Sequence, residues 1–512
     1  MGPESMFSNN WFSSFKSWRE VHGSEDNGPV PYFWVRNTLK QLTNTYPTDD
    51  LAEYYLAFEW TNEPNTIKKV AKALIKQHSS SLKLYNAYAM IEWSKGNQEI
   101  SNGIYTAALG MSKSMSSDNN NKKDSIYLWK SLIWANLSTG LKETALSHLL
   151  SIPDGIPSPD IPVELTPTTL LKAQQHLSSA RDHFLTVNNA TYAVLYTELL
   201  ALFKYLTTTS TTAPHSPQQG NITSALEILT TFSTQLSSRL TTNSKSTYPQ
   251  TLLHQSTARL LHHHAKSGPY RPQTLHEYLT KSLRLFPSNT IFFCLLTSPG
   301  LGMTRLLSPI AINTLFGELL DSSSTHHNLL PLYLHILHHH LQHSQSPTPN
   351  INTINSTFIS ALGLKNKNHK STSELSSSPS LWKLYLLFLD IYPQFFPTTS
   401  SSLTSKTLLL TSNHKQNDRE TSAQKAKGML ELWKQAIAKI PWCKSIYMLG
   451  FEMLTKDDDS SSDTGENRAT ENERDEQRTE EIERQLQHIW RVMGEKEIRV
   501  HIDLEGVWDA EE

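Results

Sequence analysis

The chain has 512 residues, and its 46 Lys and Arg nearly balance 48 Asp and Glu for a formal net charge of −2, which argues against a strongly basic nucleic-acid binder because no global positive potential is left over for a phosphate backbone. Its two cysteines, Cys294 and Cys443, stand far apart, which excludes a disulfide framework or a cysteine-ligated zinc site and points to a reduced, intracellular protein. No stretch approaches the roughly 20 consecutive apolar residues of a membrane span, and Met1 to Asn10 lacks the apolar centre of a signal peptide.

Residues 1–28 mix Ser, Asn, Gly and Pro without a period that could bury one face, and read as a flexible tail. From Pro31 apolar residues recur three and four apart at Val35, Leu39, Leu42 and Tyr46, predicting a helix that Pro47 stops. Asp50 with Glu53 three residues on has the form of a capping box, and a helix is expected from Leu51 to about Trp60. After the break at Asn62 to Asn65, a third helix is striped by Ile67, Val70, Ala71, Leu74 and Ile75.

The same phrase then returns. Leu82 to Trp93 echoes Tyr54 to Trp60, with Glu59 and Glu92, like Trp60 and Trp93, separated by 33 residues. Each copy turns through a polar loop into a second amphipathic helix, Ile67 to Lys76 in one and Ile100 to Leu109 in the other. A helix-turn-helix unit of this period is the sequence signature of an α-solenoid, in which hairpins cover one another's apolar faces. Looser copies follow at Leu128 to Leu150, Leu279 to Leu296, Leu381 to Asp390, and Leu432 to Glu452, where Phe451 and Glu452 echo Phe58 and Glu59. Proline after the second helix, at Pro47, Pro153, Pro287 and Pro441, resets the chain for the next hairpin. Between these islands, Ser/Thr-rich breaks at 112–123, 207–220, 241–248 and 398–421 read as flexible insertions, since they bury too little apolar area to offset chain entropy. The expected organisation is a tail (1–28), a helical-repeat solenoid (29–455), an acidic disordered linker (456–480), and a terminal helix with an extended capping tail (481–512) whose Ile498, Val500, Ile502 and Leu504 alternate.

The doubled Glu-Trp phrase, the step Thr106 to Met111, and Ile440-Pro441-Trp442-Cys443-Lys444 with the stretch Trp490 to Val500 resemble the nuclear-RNAi-defective (NRDE-type, "necessary for RNA interference") proteins, whose solenoids are built from half-a-TPR (HAT) repeats. The resemblance covers about Leu51 to Met111 and Glu431 to Val507; the middle, Ser151 to Ser380, does not align. It implies an all-α, right-handed α-α superhelix of HAT/TPR-like hairpins, and a nuclear, non-catalytic protein-interaction scaffold in small-RNA-directed silencing, RNA surveillance or splicing. Its partners would be proteins of that machinery, with RNA contacted indirectly and no membrane. The family's helicase-binding N-terminal region has no counterpart here, so that activity is not carried over. A scaffold of another RNA-processing complex, for 3′-end processing or in the spliceosome, is the nearest alternative.

Several residue groups invite a site. Tyr55, Trp60, Tyr88, Trp93 and Phe451 occupy matching helix positions, where large rings are expected to pack between stacked hairpins. Glu59, Glu92 and Glu452 flank the apolar stripe, and each is expected to pair with a second-helix lysine or a backbone amide. Lys68, Lys72 and Lys76 stand four apart, with Lys69 beside them, and line one helical face, which reads first as a solvated surface and second as the one basic patch that would touch an acidic partner or an RNA backbone. The histidines at 262–264, 326–327 and 335–343 include i, i+4 pairs with the spacing of zinc ligands, which frames a His-dependent metalloenzyme as an alternative of a different class. No His-Glu-x-x-His, phosphate loop or nucleophile motif accompanies them. The sequence therefore supports neither an enzyme nor a cofactor.

Overall fold

Helices account for the secondary structure, and the described residues contain no strand: the chain is all-α. The structure, a computed structural model, describes residues 32–115, 120–157, 166–208, 219–240, 247–297, 351–364, 374–392, 417–455 and 486–496, with isolated positions at 314–315, 318, 330, 333–334, 336–337, 484 and 498. The expected tail (1–28), the acidic linker (456–480) and most of the capping tail lie outside them. The chain divides into two compact units, Met1–Phe286 with Ile291–Leu306, and Pro287–Thr290 with Leu307–Glu512.

The first unit is a succession of helices packed on one another. Helix α1 (Tyr32–Thr45) is followed by the pairs α2 (Asp49–Asn62) with α3 (Ile67–Gln77), α4 (Leu82–Ser94) with α5 (Gln98–Ser114), and α6 (Ser125–Ser138) with α7 (Lys142–Ser151). In each pair the first helix packs on its own partner and on the first helix of the next pair, so that α2 touches α4 and α4 touches α6. Each second helix also leans on the following first helix, α3 on α4 and α5 on α6. Helix α4 is consequently apolar on nearly every side. Its Leu84, Ala87, Tyr88 and Ile91 join a core with α2 and α3, whereas Leu82 and Ala89 join the next core with α5 and α6. A helix buried all round carries no single apolar stripe, whereas a helix with one face in water must. Helix α3 is of the second kind, with Ile67, Ala71 and Leu74 buried and every lysine exposed.

Beyond the legible repeats the chain continues through α8 (Pro167–Thr186), α9 (Ala190–Thr207), α10 (Ile222–Leu240), α11 (Tyr248–Ser267) and α12 (Pro272–Leu285), before the short α13 (Thr290–Leu296). Helix α9 is the most enclosed, buried on every turn from Tyr192 to Leu206 and packed by α6, α7, α8, α10 and α11. One turn recurs. After α4, Gly96 takes φ +83° and the Asn97 amide reaches back 3.0 Å to the Glu92 carbonyl. After α6, Gly140 takes φ +82° and Leu141 bonds Asn136 at 2.9 Å. After α8 the left-handed position is filled by Asn188 at φ 60°, with Asn189 bonding Phe184 at 2.8 Å. This is the Schellman closure of a helix, which needs a residue that tolerates positive φ.

The second unit contains α14 (Ile351–Leu362), α15 (Pro379–Ile391), α16 (Asn417–Lys439), α17 (Lys444–Thr455) and a helix over 486–495. Aromatic rings run through it: Phe358 lies 5.1 Å from Tyr385 and 6.2 Å from Tyr333, and Phe451 lies 5.3 Å from Trp433 and 6.0 Å from Trp490. Trp433 is fully buried and donates its indole N–H to the Ile446 carbonyl at 2.8 Å, which fixes α16 against α17.

Three expectations change at this level. The capping box at Asp50 and Glu53 does not form. The N-cap of α2 is Thr48, without a side-chain cap, because the acids have tertiary partners instead: Asp49 meets His78 at 3.0 Å and Asp50 accepts from Lys83 of α4 at 2.9 Å. The break predicted at 112–123 is partly structured, since α5 runs to Ser114 with Ser112 buried, and a 3-10 turn occupies Asn120–Asp124. Thr207 ends α9 and Tyr248 opens α11, while most of the other Ser/Thr-rich breaks lies outside the described residues.

Candidate interaction surface

Helices α1 and α3 both pack on α2 and leave a cleft of about 310 Å³ between them. Tyr55 of α2, with Val70, Ala73 and Leu74 of α3, supplies its apolar lining, and Arg36 and Lys40 of α1 face Lys69 across it. Asn37, Asn44 and Gln77 add neutral polar groups; among the described residues no carboxylate lines the cleft. The helical period explains the selection. Lys69, Ala73 and Gln77 are four apart and share one row of α3, whereas Lys68, Lys72 and Lys76 form the adjacent row and point to solvent. Of the four lysines expected to act together, only Lys69 lines the cleft. Two contributors, Arg36 and Lys40, come from a helix that sequence periodicity marked only as structural.

The charge of Arg36 is balanced internally. Its Nε donates to Glu59 at 2.5 Å and its Nη2 to the other carboxylate oxygen at 3.1 Å, with Glu59 fully buried. This bidentate fork replaces the expected pairing of Glu59 with a second-helix lysine, because planar guanidinium matches carboxylate geometry and comes from the preceding helix. Burial, reinforced by Glu59, pushes the Tyr55 phenol well above its ordinary pKa. The equivalent pair one repeat later uses another donor. Glu92 accepts from Asn97 Nδ2 at 2.8 Å, and burial with Glu92 raises the Tyr88 phenol to about 12. Glu452 is exposed, so its alignment with Glu59 does not extend to burial.

The five lysines Lys40, Lys68, Lys69, Lys72 and Lys76 are exposed and make no ion pair with the described residues. Elsewhere in this unit Lys83 pairs with Asp50, Lys130 with Glu198 and Lys172 with Asp154. Among the aromatic positions, Tyr55 and Tyr88 are buried, whereas Trp60, Trp93 and Phe451 are half-buried. Trp60 lies against the α2–α3 core with the Lys95 ammonium 5.5 Å above its ring.

A second polar constellation was not anticipated. Glu198, deep in α9, accepts from Trp134 Nε1 at 2.7 Å, Ser256 Oγ at 2.6 Å and Lys130 Nζ at 2.8 Å. Arg259 lies 4.2 Å over the Trp134 ring. Burial alone would raise this carboxyl, yet the Lys130 and Arg259 charges and the donated hydrogen bonds hold it below its usual value. The group joins α6, α9 and α11 and is enclosed by the core. Its signal in the sequence was a single acid within the apolar run Ala190 to Thr207.

The histidines divide. His263 sits edge-on to Trp134 at 5.8 Å, and His264 meets the Tyr205 hydroxyl at 3.1 Å. The histidines of the runs 326–327 and 335–343 lie outside the described residues. Among the described residues no group of three or more His, Cys, Asp or Glu is gathered as a metal would require, and no helix is long and apolar enough to cross a membrane. No protein-family model matches the chain, and no curated protein matches it.

Proposed function

We propose that the protein is a non-catalytic nuclear scaffold whose hairpins wind as a right-handed HAT-type superhelix and hold proteins of small-RNA-directed silencing, RNA surveillance or splicing. The observation that carries the scaffold reading is the nearest-neighbour packing of α2 through α7, in which each pair completes the core of the next and leaves its outer helix face in water. The repeated Tyr-to-Glu spacing in α2 and α4 and the shared Schellman turn after α4, α6 and α8 support a common unit. Extended arrays of this kind bind by surface area and charge, with no chemistry of their own. The assignment to silencing rests on the resemblance of the Glu-Trp phrases and the Ile440 to Lys444 step to NRDE-type proteins.

Affinity capture of the full chain from nuclear extract, with and without ribonuclease, tests this function. Silencing, surveillance or splicing proteins retained after ribonuclease are expected. Recovery of 3′-end processing factors alone would place the scaffold in another RNA-processing complex, and recovery of no nuclear protein would contradict the proposal.

A further inference from the structure

We propose that the cleft between α1 and α3 binds an acidic peptide segment, seating an apolar side chain against Tyr55 and Leu74 with flanking carboxylates on Lys40 and Lys69. This names the partner class for the scaffold and rests on that reading.

Charge complementarity carries the assignment. Three acids of α2 are already engaged: Glu59 with Arg36, Asp49 with His78, and Asp50 with Lys83. Lys40 and Lys69 both line the cleft, and among the described residues no carboxylate lines it with them. Lys68, Lys72 and Lys76 extend the same sign along the neighbouring row of α3. Concentrating unpaired ammonium groups costs self-repulsion, which an incoming carboxylate relieves.

The lining selects peptide over nucleic acid. Single-stranded RNA is held by exposed rings on which bases stack, combined with a long cationic track. Among the described residues the only ring lining this cleft, Tyr55, is 5% exposed and buried beneath it. A volume of about 310 Å³ accepts a few side chains and no more. The apolar patch of Val70, Ala73 and Leu74 has no use for a phosphate backbone but suits a leucine or valine between acids.

The test is fluorescence anisotropy on the full chain. The probe is a short fluorescein-labelled peptide of glutamates carrying two leucines; the comparison probes are its glutamine counterpart and an oligouridylate. The glutamate peptide is expected to bind saturably, to weaken with added salt, and to bind at least about tenfold more tightly than the glutamine peptide. The double variant Lys40→Glu/Lys69→Glu is expected to lose about tenfold, while Lys266→Glu, an exposed change on α11, leaves binding unaltered. Both lysines are exposed, and an unchanged circular dichroism spectrum verifies that the double variant is folded. No saturable binding of the glutamate peptide, equal binding of the glutamine peptide, insensitivity to the double variant, or preferential binding of the oligouridylate each overturns the assignment. If these arms fail while nuclear proteins are still captured by the full chain, the cleft assignment falls and the scaffold reading stands.

Discussion

Ionisable side chains enclosed between the helices make the protein sensitive to pH in two opposed senses. Burial lowers His148, His254 and His263 from 6.5 to about 4, so the unfolded chain binds more protons across that window. Their contribution is complete above about pH 6.5 and is lost as the pH falls toward 4. Glu53 behaves inversely. Burial, helped by Asp50, Asp49 and Asp124 and opposed by Lys83, raises it from 4.5 to about 7, so its contribution is complete below 4.5 and is lost as the pH rises through 7. Thermal melts should show His148→Leu gaining on the natural protein at about pH 5 relative to pH 7, and Glu53→Gln gaining at about pH 8 relative to pH 4. Parallel melting curves for either variant across its window would contradict the corresponding account. Glu198 is costly to lose. Its replacement by Ala strands Lys130 and the Trp134 and Ser256 donors in the core, and urea unfolding should report a loss of about 3–5 kcal/mol. A loss below about 1 kcal/mol would mean that the network contributes little.

Between helices, the strictest packing constraint is at Gly450. A Cβ there would fall within the indole of Trp433, which is fully buried and anchored to Ile446, so neither side has room to yield. Gly450→Ala should cost about 1–3 kcal/mol in unfolding experiments and alter the near-ultraviolet dichroism of the tryptophans. An unchanged midpoint would show that α16 and α17 pack less closely. Helix identity was legible where one face carried an apolar stripe, as in α1 and α3, and where a recurring phrase stood in for a stripe, as in α2, α4 and α6; α5, α7, α12, α13, α15, α17 and the Leu432 to Lys439 part of α16 also lie where they were expected. Helices α8 to α11 were not legible as repeats. Helix α9 is apolar on all sides and offers no stripe, and its preceding turn uses Asn188 in place of the glycine found after α4 and α6. Partner choice was the least legible. The Arg36 fork to Glu59, the Lys83 contact with Asp50 and the Glu198 group join residues far apart in sequence, and a local pattern specifies that an acid needs a partner without naming it. The cleft was half legible for the same reason: the exposed row of α3 could be read from spacing, whereas Lys40 enters it only through the packing of α1 on α2.

Across α2 to α7, where each pair packs on its neighbours, the arrangement of contacts has a thermodynamic consequence. In a quasi-one-dimensional array, stability is the sum of each pair's own terms and those at its two interfaces, so damage spreads to neighbours and fades with distance. Leu84 belongs to the α2–α4 core, is fully buried, and on truncation to Ala should lose about 2–5 kcal/mol. Native-state hydrogen exchange on Leu84→Ala measures the spread directly. The account predicts much faster exchange in α2 to α6 and near-natural protection in α11 and α12. An equal loss of protection in every helix of the unit would contradict it.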